Sequence, residues 1–234
     1  MLPGGRMPHA HLPRVFLSCS ALALAGCAAA TPSPAPAAPP AAVAVPAPAE
    51  GEPTPAAPPR AACEGSEDFE AVWPRLRAHL EAGIEGVTPL IDPERGVFVI
   101  DNPGAFTIPM HVTSLMDAVE RVPKLTAEHY RWVCPEVHSD KTPHFSCETD
   151  QWSARGCVMT PNPEFSVARW YELAIQYELL PPAEARAGLE QARKADLAIE
   201  MGVYATDATI GFYFGRVGCA WRVLAVDAVT PCSA

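Results

Sequence analysis

The sequence predicts an α+β domain: helices packed on an antiparallel sheet that ends in a C-terminal β-meander, the whole stapled by disulfides. Three observations predict it. Apolar residues recur at helical spacing from Phe69 to Leu80 and again from Trp170 to Tyr177. Three strand-like runs separated by short turns close the chain. Six cysteines lie in the same stretch (Cys63, Cys134, Cys147, Cys157, Cys219 and Cys232), the even number that a disulfide framework uses.

Before that domain come two segments of different character. Residues 1–27 read MLPGGRMPHAHLPRVFLSCSALALAGC, with Arg6 and Arg14 as the only charged side chains. The apolar run Val15–Gly26 has the length of a signal-peptide core and is too short to cross a bilayer as a helix. It ends in Leu24-Ala25-Gly26-Cys27, which resembles the lipobox of bacterial lipoproteins. The resemblance implies that residues 1–26 are a signal peptide removed before Cys27. It also implies that Cys27 carries the lipid and that the membrane is a partner through that anchor. Ala28 in the next position resembles the outer-membrane pattern of that family, so the expected location is the cell envelope, facing the periplasm or the cell surface. The run PLIDPERGVFVIDNPGAF resembles segments of bacterial lipoproteins too and carries no chemistry of its own.

Residues 27–62 form a tether. From Ala28 to Ala62 there are 11 prolines and no aromatic residue, so the segment cannot bury enough apolar surface to offset its conformational entropy. Proline biases it to polyproline II, with a reach on the order of 100 Å at ~3.1 Å per residue. The remaining residues, 63–234, fit one domain. Without Arg6 and Arg14 the chain has 15 basic and 27 acidic residues, a formal charge of −12. Nucleic acid is excluded as a partner, because phosphate binding needs clustered Lys and Arg.

Within the domain, Ser66 is the expected N-cap of the first helix, with Glu67, Asp68 and Glu70 in its first turn. Pro74 predicts a kink or two short helices, and Gly83 the end. GVFVID, residues 96–101, reads as a strand followed by an Asn-Pro-Gly turn. AFTIPMHV reads as an edge strand, since Pro109 lacks an N–H to donate. A short helix starts at Thr113 or Ser114, with Asp117 completing a capping box, and residues 126–133 read as another helical turn. Residues 145–160 read as a β-hairpin or loop pair. Asn162-Pro163-Glu164 predicts the start of a helix carrying Trp170, Leu173 and Tyr177, and Pro181-Pro182 the start of another over residues 183–198.

The meander is MGVYAT, TIGFYFGRV and CAWRVLAVDAV, with its tight turn at Val217-Gly218-Cys219. Alternation puts Phe212 with Phe214 on one face, and Trp221 with Val223 and Ala225. GFYFGRVGCAWRVLAVDAV resembles the closing strands of the nuclear-transport-factor-2-like cone fold. That resemblance implies helices packed into a curved sheet, and no particular activity, since the fold hosts binding proteins and enzymes alike.

CPEVHSDKTPHFSC, residues 134–147, offers Cys134, His138, His144 and Cys147 as zinc ligands. An oxidising compartment converts paired thiols to disulfides, and the spacing lacks the Cys-x2-Cys knuckle of structural zinc sites. The reading is therefore disulfide halves, with no metal and no cofactor. Six cysteines allow 15 pairings. A hairpin would bring Cys147 near Cys157, Cys63 with Cys232 would tie the domain's ends, and Cys219 and Cys232 are too far apart along one strand to bridge.

No residue is assigned as catalytic. His138-Ser139-Asp140 holds triad residue types, but triads are assembled from distant segments. Glu94 and Asp101 flank a strand without a sugar platform beside them. If a cavity lies between the late helices and the terminal sheet, Trp170, Tyr171, Phe212, Phe214 and Trp221 would line it. The expected function is a non-catalytic envelope lipoprotein that binds a small ligand or another envelope protein. The alternatives are a periplasmic hydrolase acting on envelope material and a structural spacer between membrane and cell wall.

Overall fold

The computed structural model describes residues 67–232, except 127, 128, 131, 133 and 134. The expected signal segment, Cys27, the expected tether, Ser66, Cys63, Cys134 and part of the expected turn over 126–133 lie outside the described residues. The described part is α+β, with five α-helices, a seven-stranded sheet and a separate two-stranded hairpin.

Helix α1, Phe69–Glu81, buries Phe69, Val72, Trp73, Leu76 and Leu80, the stripe that the periodicity predicts. It runs through Pro74 without dividing. Pro74 and Glu70 both lie on the exposed face, so water can satisfy the Glu70 carbonyl that proline leaves without an N–H. Its N-cap is Asp68, and Gly83 follows its end at φ +89°, a conformation that glycine adopts without strain. Helix α2, Ile84–Val87, is a single turn.

Strand β1, Val97–Asp101, is buried along its whole length. It pairs antiparallel with β2, Ile108–Val112, which is the sheet's edge as Pro109 requires. After β2, Ser114 N–H and Thr113 Oγ1 both donate to Asp117 Oδ2, one half of the expected capping box, while Ser114 Oγ accepts the Met116 N–H; α3, Met116–Val119, has Leu115 as its N-cap.

Three short or irregular strands come next. β3 is Glu136–His138, β4 is Phe145–Ser146, and β5 is Gln151–Trp152. β4 and β5 form the expected hairpin by themselves, and β6, Cys157–Pro161, returns to the main sheet. Helix α4 is Val167–Gln176 and α5 is Pro182–Asp196. The meander is β7, Ile199–Ala205, β8, Ile210–Val217, and β9, Ala220–Asp227.

The strand order is β2-β1-β9-β8-β7-β6-β3. The expected antiparallel sheet is in fact mixed: β1 runs parallel to β9 and β3 parallel to β6. Parallel neighbours need long crossovers. The β4–β5 excursion supplies one, and nearly the whole domain supplies the other. β3 is three residues with a single apolar side chain, too short for periodicity to mark it.

The turn of the last hairpin is Gly218-Cys219, at φ +55° and +65°, the two-residue geometry with left-handed residues that matches strand twist. A bulge corrects the expected face of Ala225. Phe214 pairs Val223, but Tyr213 pairs Ala225, so one residue of β9 is extra. Trp221 and Val223 lie in one buried cluster with Phe212 and Phe214, whereas Ala225 lies in the other with Tyr213.

Those two clusters divide β1 residue by residue. Val97 and Val99 join the cluster that holds the α1 stripe, where the Phe69 ring meets Phe214 at 5.5 Å and Trp221 at 5.0 Å. Phe98 and Ile100 join the cluster of Val167, Ala168 and Tyr171 from α4 and Ala192 from α5. Burial on both faces explains why β1 reads as an unbroken apolar run.

Cys147 is bonded to Cys232, with Cα atoms 5.7 Å apart. This replaces the expected Cys63–Cys232 tie and the Cys147–Cys157 hairpin link. The bond joins the β4–β5 turn to the segment after β9. Cys157 and Cys219 are also disulfide-bonded.

Candidate functional site

A cleft of about 770 Å³ opens where the β4–β5 hairpin, the start of α4 and the end of β9 meet. Four half-buried aromatic rings line it: Phe145 and Trp152 from the hairpin, Phe165 from the loop before α4, and Trp170 from α4. Phe145 and Trp152 contact edge to face at 5.3 Å, as their direct pairing in the hairpin dictates. Trp152 leans on Tyr204 at 5.0 Å, and Phe165 stacks flat on Tyr213 at 3.7 Å. Tyr204 and Tyr213 are themselves buried and form the floor.

Glycines make room for that floor. Gly211 pairs with Tyr204 and Gly202 with Tyr213 across the β7–β8 ladder. A methyl group on Gly211 would sit 2.5 Å from the Tyr204 ring, so the ring occupies the space a side chain would need. On Gly202 it would lie 3.0 Å from Pro163 and 3.2 Å from Tyr213.

The wall that carries Phe165 and Trp170 is set by a polar clasp. Ser166 is the N-cap of α4 and accepts the Arg169 N–H at 3.1 Å. Asp196, at the end of α5, accepts the N–H groups of Val167 and Ala168 at 2.8 and 3.1 Å and the Ser166 hydroxyl at 2.7 Å. The helix therefore begins later than the expected Asn162-Pro163-Glu164 start. Asn162 instead takes a left-handed conformation, φ +45°, and donates its N–H to the Glu200 carbonyl.

Asp227, the last residue of β9, is the half-buried carboxylate of the cleft. Its Oδ1 accepts the Val229 N–H at 2.9 Å, and no described residue donates to Oδ2. Burial pushes its carboxyl up to about 6, against the opposing pull of that N–H and of Lys124. Asp101, buried on the adjacent strand, is also raised by burial. Lys124 stands between these acids electrostatically. Burial lowers its pKa, Asp227 and Asp101 support its charge, and its Nζ donates to the Thr209 carbonyl at 3.3 Å. One cation thus serves two acids. Glu164 and Arg169, of opposite charge, are both exposed at the rim, as is His144.

Of the expected pocket aromatics, Trp170 is in the cleft. Tyr171 is buried against Phe98, rings 6.0 Å apart. Phe212 and Phe214 are fully buried in the cluster on the other side of the sheet, and Trp221 packs there under the Arg216 guanidinium at 4.7 Å. Strand alternation separates them: Tyr213, between the two phenylalanines, is the one that faces the cleft. Phe145, Trp152, Phe165, Tyr204 and Asp227 were missed because they come from four separate segments. The signals available were a lone carboxylate ending an apolar strand and glycines spaced to oppose tyrosines.

The remaining candidates are dispersed. His138 is exposed, with Nδ1 3.7 Å from Glu70, and Ser139 Oγ bonds Lys141. His111 stacks on Phe98 at 4.3 Å. Glu94 and Asp101 line separate hollows. Cys147, one of the four zinc candidates, is in the disulfide with Cys232, and Cys134 is outside the described residues. Among the described residues no group of three or more His, Cys, Asp or Glu is placed to hold a metal, and no helix is long and apolar enough to cross a membrane. The cleft can hold a compact apolar or aromatic ligand and present a carboxylate to it. Comparison with protein-family models, curated proteins and solved structures finds no match.

Proposed function

We propose that the chain is a lipid-anchored protein of the bacterial cell envelope whose domain binds a small ligand in the aromatic cleft without chemical turnover. The observation that carries the binding reading is the convergence of four half-buried aromatic rings on one concavity. Rings left half-wet at a cost in solvation are what a ligand would cover. The anchor rests on Leu24-Ala25-Gly26-Cys27 after a short apolar run. Helices packed into a curved, cone-like sheet are part of this reading, supported by bulges in β7 and β9, which bend strands.

Thermal-shift screening of the full chain against a broad panel of small molecules tests it. A stabilising ligand is expected whose effect is lost in Trp152→Ala. The absence of any such ligand would overturn the binding reading. Cys27→Ala is expected to move the chain from the membrane to the soluble fraction, and unchanged membrane retention would remove the lipid anchor.

One observation favours a second reading, a hydrolase acting on envelope material. A carboxylate held near pH 6 suits a general base. Against it, the nearby Ser166 hydroxyl is already committed to Asp196. Turnover abolished by Asp227→Asn would establish it.

A further inference from the structure

The cleft combines two features that select one ligand chemistry. Its walls include four half-buried aromatic rings: Phe145, Trp152, Phe165 and Trp170. Its inner charged group is the Asp227 carboxylate, one oxygen of which receives no donor from the described residues. Aromatic faces attract cations through their quadrupole, most strongly where water is excluded, and recognition of quaternary ammonium groups uses this geometry. A neutral apolar ligand would use the rings and leave the carboxylate desolvated for nothing. An anionic ligand would meet the acid directly.

The surrounding charges support the same choice. Arg169 and Glu164 offset one another at the exposed rim. Lys124 does not line the cleft, and it is shared between Asp227 and Asp101. With both acids ionised the trio carries one net negative charge, which a bound cation would neutralise. The floor adds Tyr204 and Tyr213, both of which feel the Asp227 charge.

We propose that the cleft is an organic-cation site, in which an alkylammonium or quaternary ammonium group sits among Trp152, Phe165 and Trp170 and pairs with Asp227. This rests on the ligand-binding reading above and narrows it to a chemical class.

The test is calorimetric titration of the full chain in a non-ionic detergent with three probes. These are tetramethylammonium, choline, and 3,3-dimethylbutanol, the uncharged isostere of choline. Choline is expected to bind at least tenfold more tightly than its isostere. Asp227→Asn, which keeps an oxygen for the Val229 N–H, is expected to weaken choline at least tenfold without weakening the isostere, which no longer desolvates a charge. Trp152→Ala is expected to weaken both. Circular dichroism of each variant separates lost binding from lost folding. Equal affinity for choline and isostere, or choline affinity indifferent to Asp227→Asn, overturns the cation assignment and leaves the cleft as a binding site for neutral ligands. No binding of any of the three probes also overturns it. In that case a neutral or anionic ligand from the screening panel that needs Trp152 would preserve the broader reading, and a panel without one would end both.

Discussion

Asp227 has the clearest pH signature at the residue scale. Its carboxyl is pushed up to about 6, well above an unfolded aspartate, so the folded protein binds this proton more tightly than the unfolded chain does. Its ionisation therefore opposes folding. The contribution to stability is most favourable at acid pH and declines as pH rises from about 4 through about 6. Asp227→Asn removes that penalty, although it also takes one supporting charge from Lys124. The expected result is a variant more stable by about 1 kcal/mol at pH 7, with the gain shrinking toward pH 4, read from urea midpoints across pH. Gly211 gives a second residue-level prediction. Gly211→Ala places a methyl group 2.5 Å from the Tyr204 ring and is expected to cost about 1–3 kcal/mol. Double substitution with Tyr204→Ala should relieve the clash, which a double-mutant cycle would register. None of this was legible beforehand: a glycine in a strand has no face, and an aspartate at a strand's end looks solvated until its neighbours are placed.

Elements were legible in proportion to how far local pattern decided them. Helix α1, strand β1, the edge strand β2 and the final meander came from periodicity, proline and turn residues, all of which act within a few positions. The misplaced start of α4 shows the opposite case. Asn162-Pro163-Glu164 has the composition of a helix start, yet the helix waits for Ser166 because Asp196, 30 residues on, supplies acceptors for Val167 and Ala168. A cap provided from another helix leaves no mark near the helix it caps. Ser166→Ala is expected to cost about 1 kcal/mol. Asp196→Ala should cost more, because it strands two backbone donors. Urea unfolding of the two variants checks the order, and Ser166→Ala costing more would contradict the clasp. The bulge in β9 is likewise invisible in sequence, since its extra residue is an ordinary member of an apolar run.

The whole molecule is held by long-range links. The Cys147–Cys232 bond spans 85 residues and closes one border of the aromatic cleft. Replacing both cysteines by serine is expected to lower stability by about 2–4 kcal/mol, measured by denaturant unfolding. It should also weaken any cleft ligand, because the hairpin bearing Phe145 and Trp152 loses its tie to the end of β9. The even number of cysteines pointed to disulfides but not to their connectivity, because pairing is a property of the closed fold. The candidate site was illegible for the same reason: its rings meet only after the hairpin, α4 and the sheet have assembled.

The parallel pairing of β1 with β9 has a temporal consequence. The ribosome makes the chain from its N-terminus, and β1 emerges about 120 residues before the strand that flanks it. Through most of synthesis a strand built to be enclosed on both faces has only β2 beside it. The centre of the sheet thus closes last, and the nascent chain needs protection from sticking until β9 arrives. Purified chains truncated before residue 220 should be protease-sensitive throughout the domain, and the full chain under oxidising conditions should not.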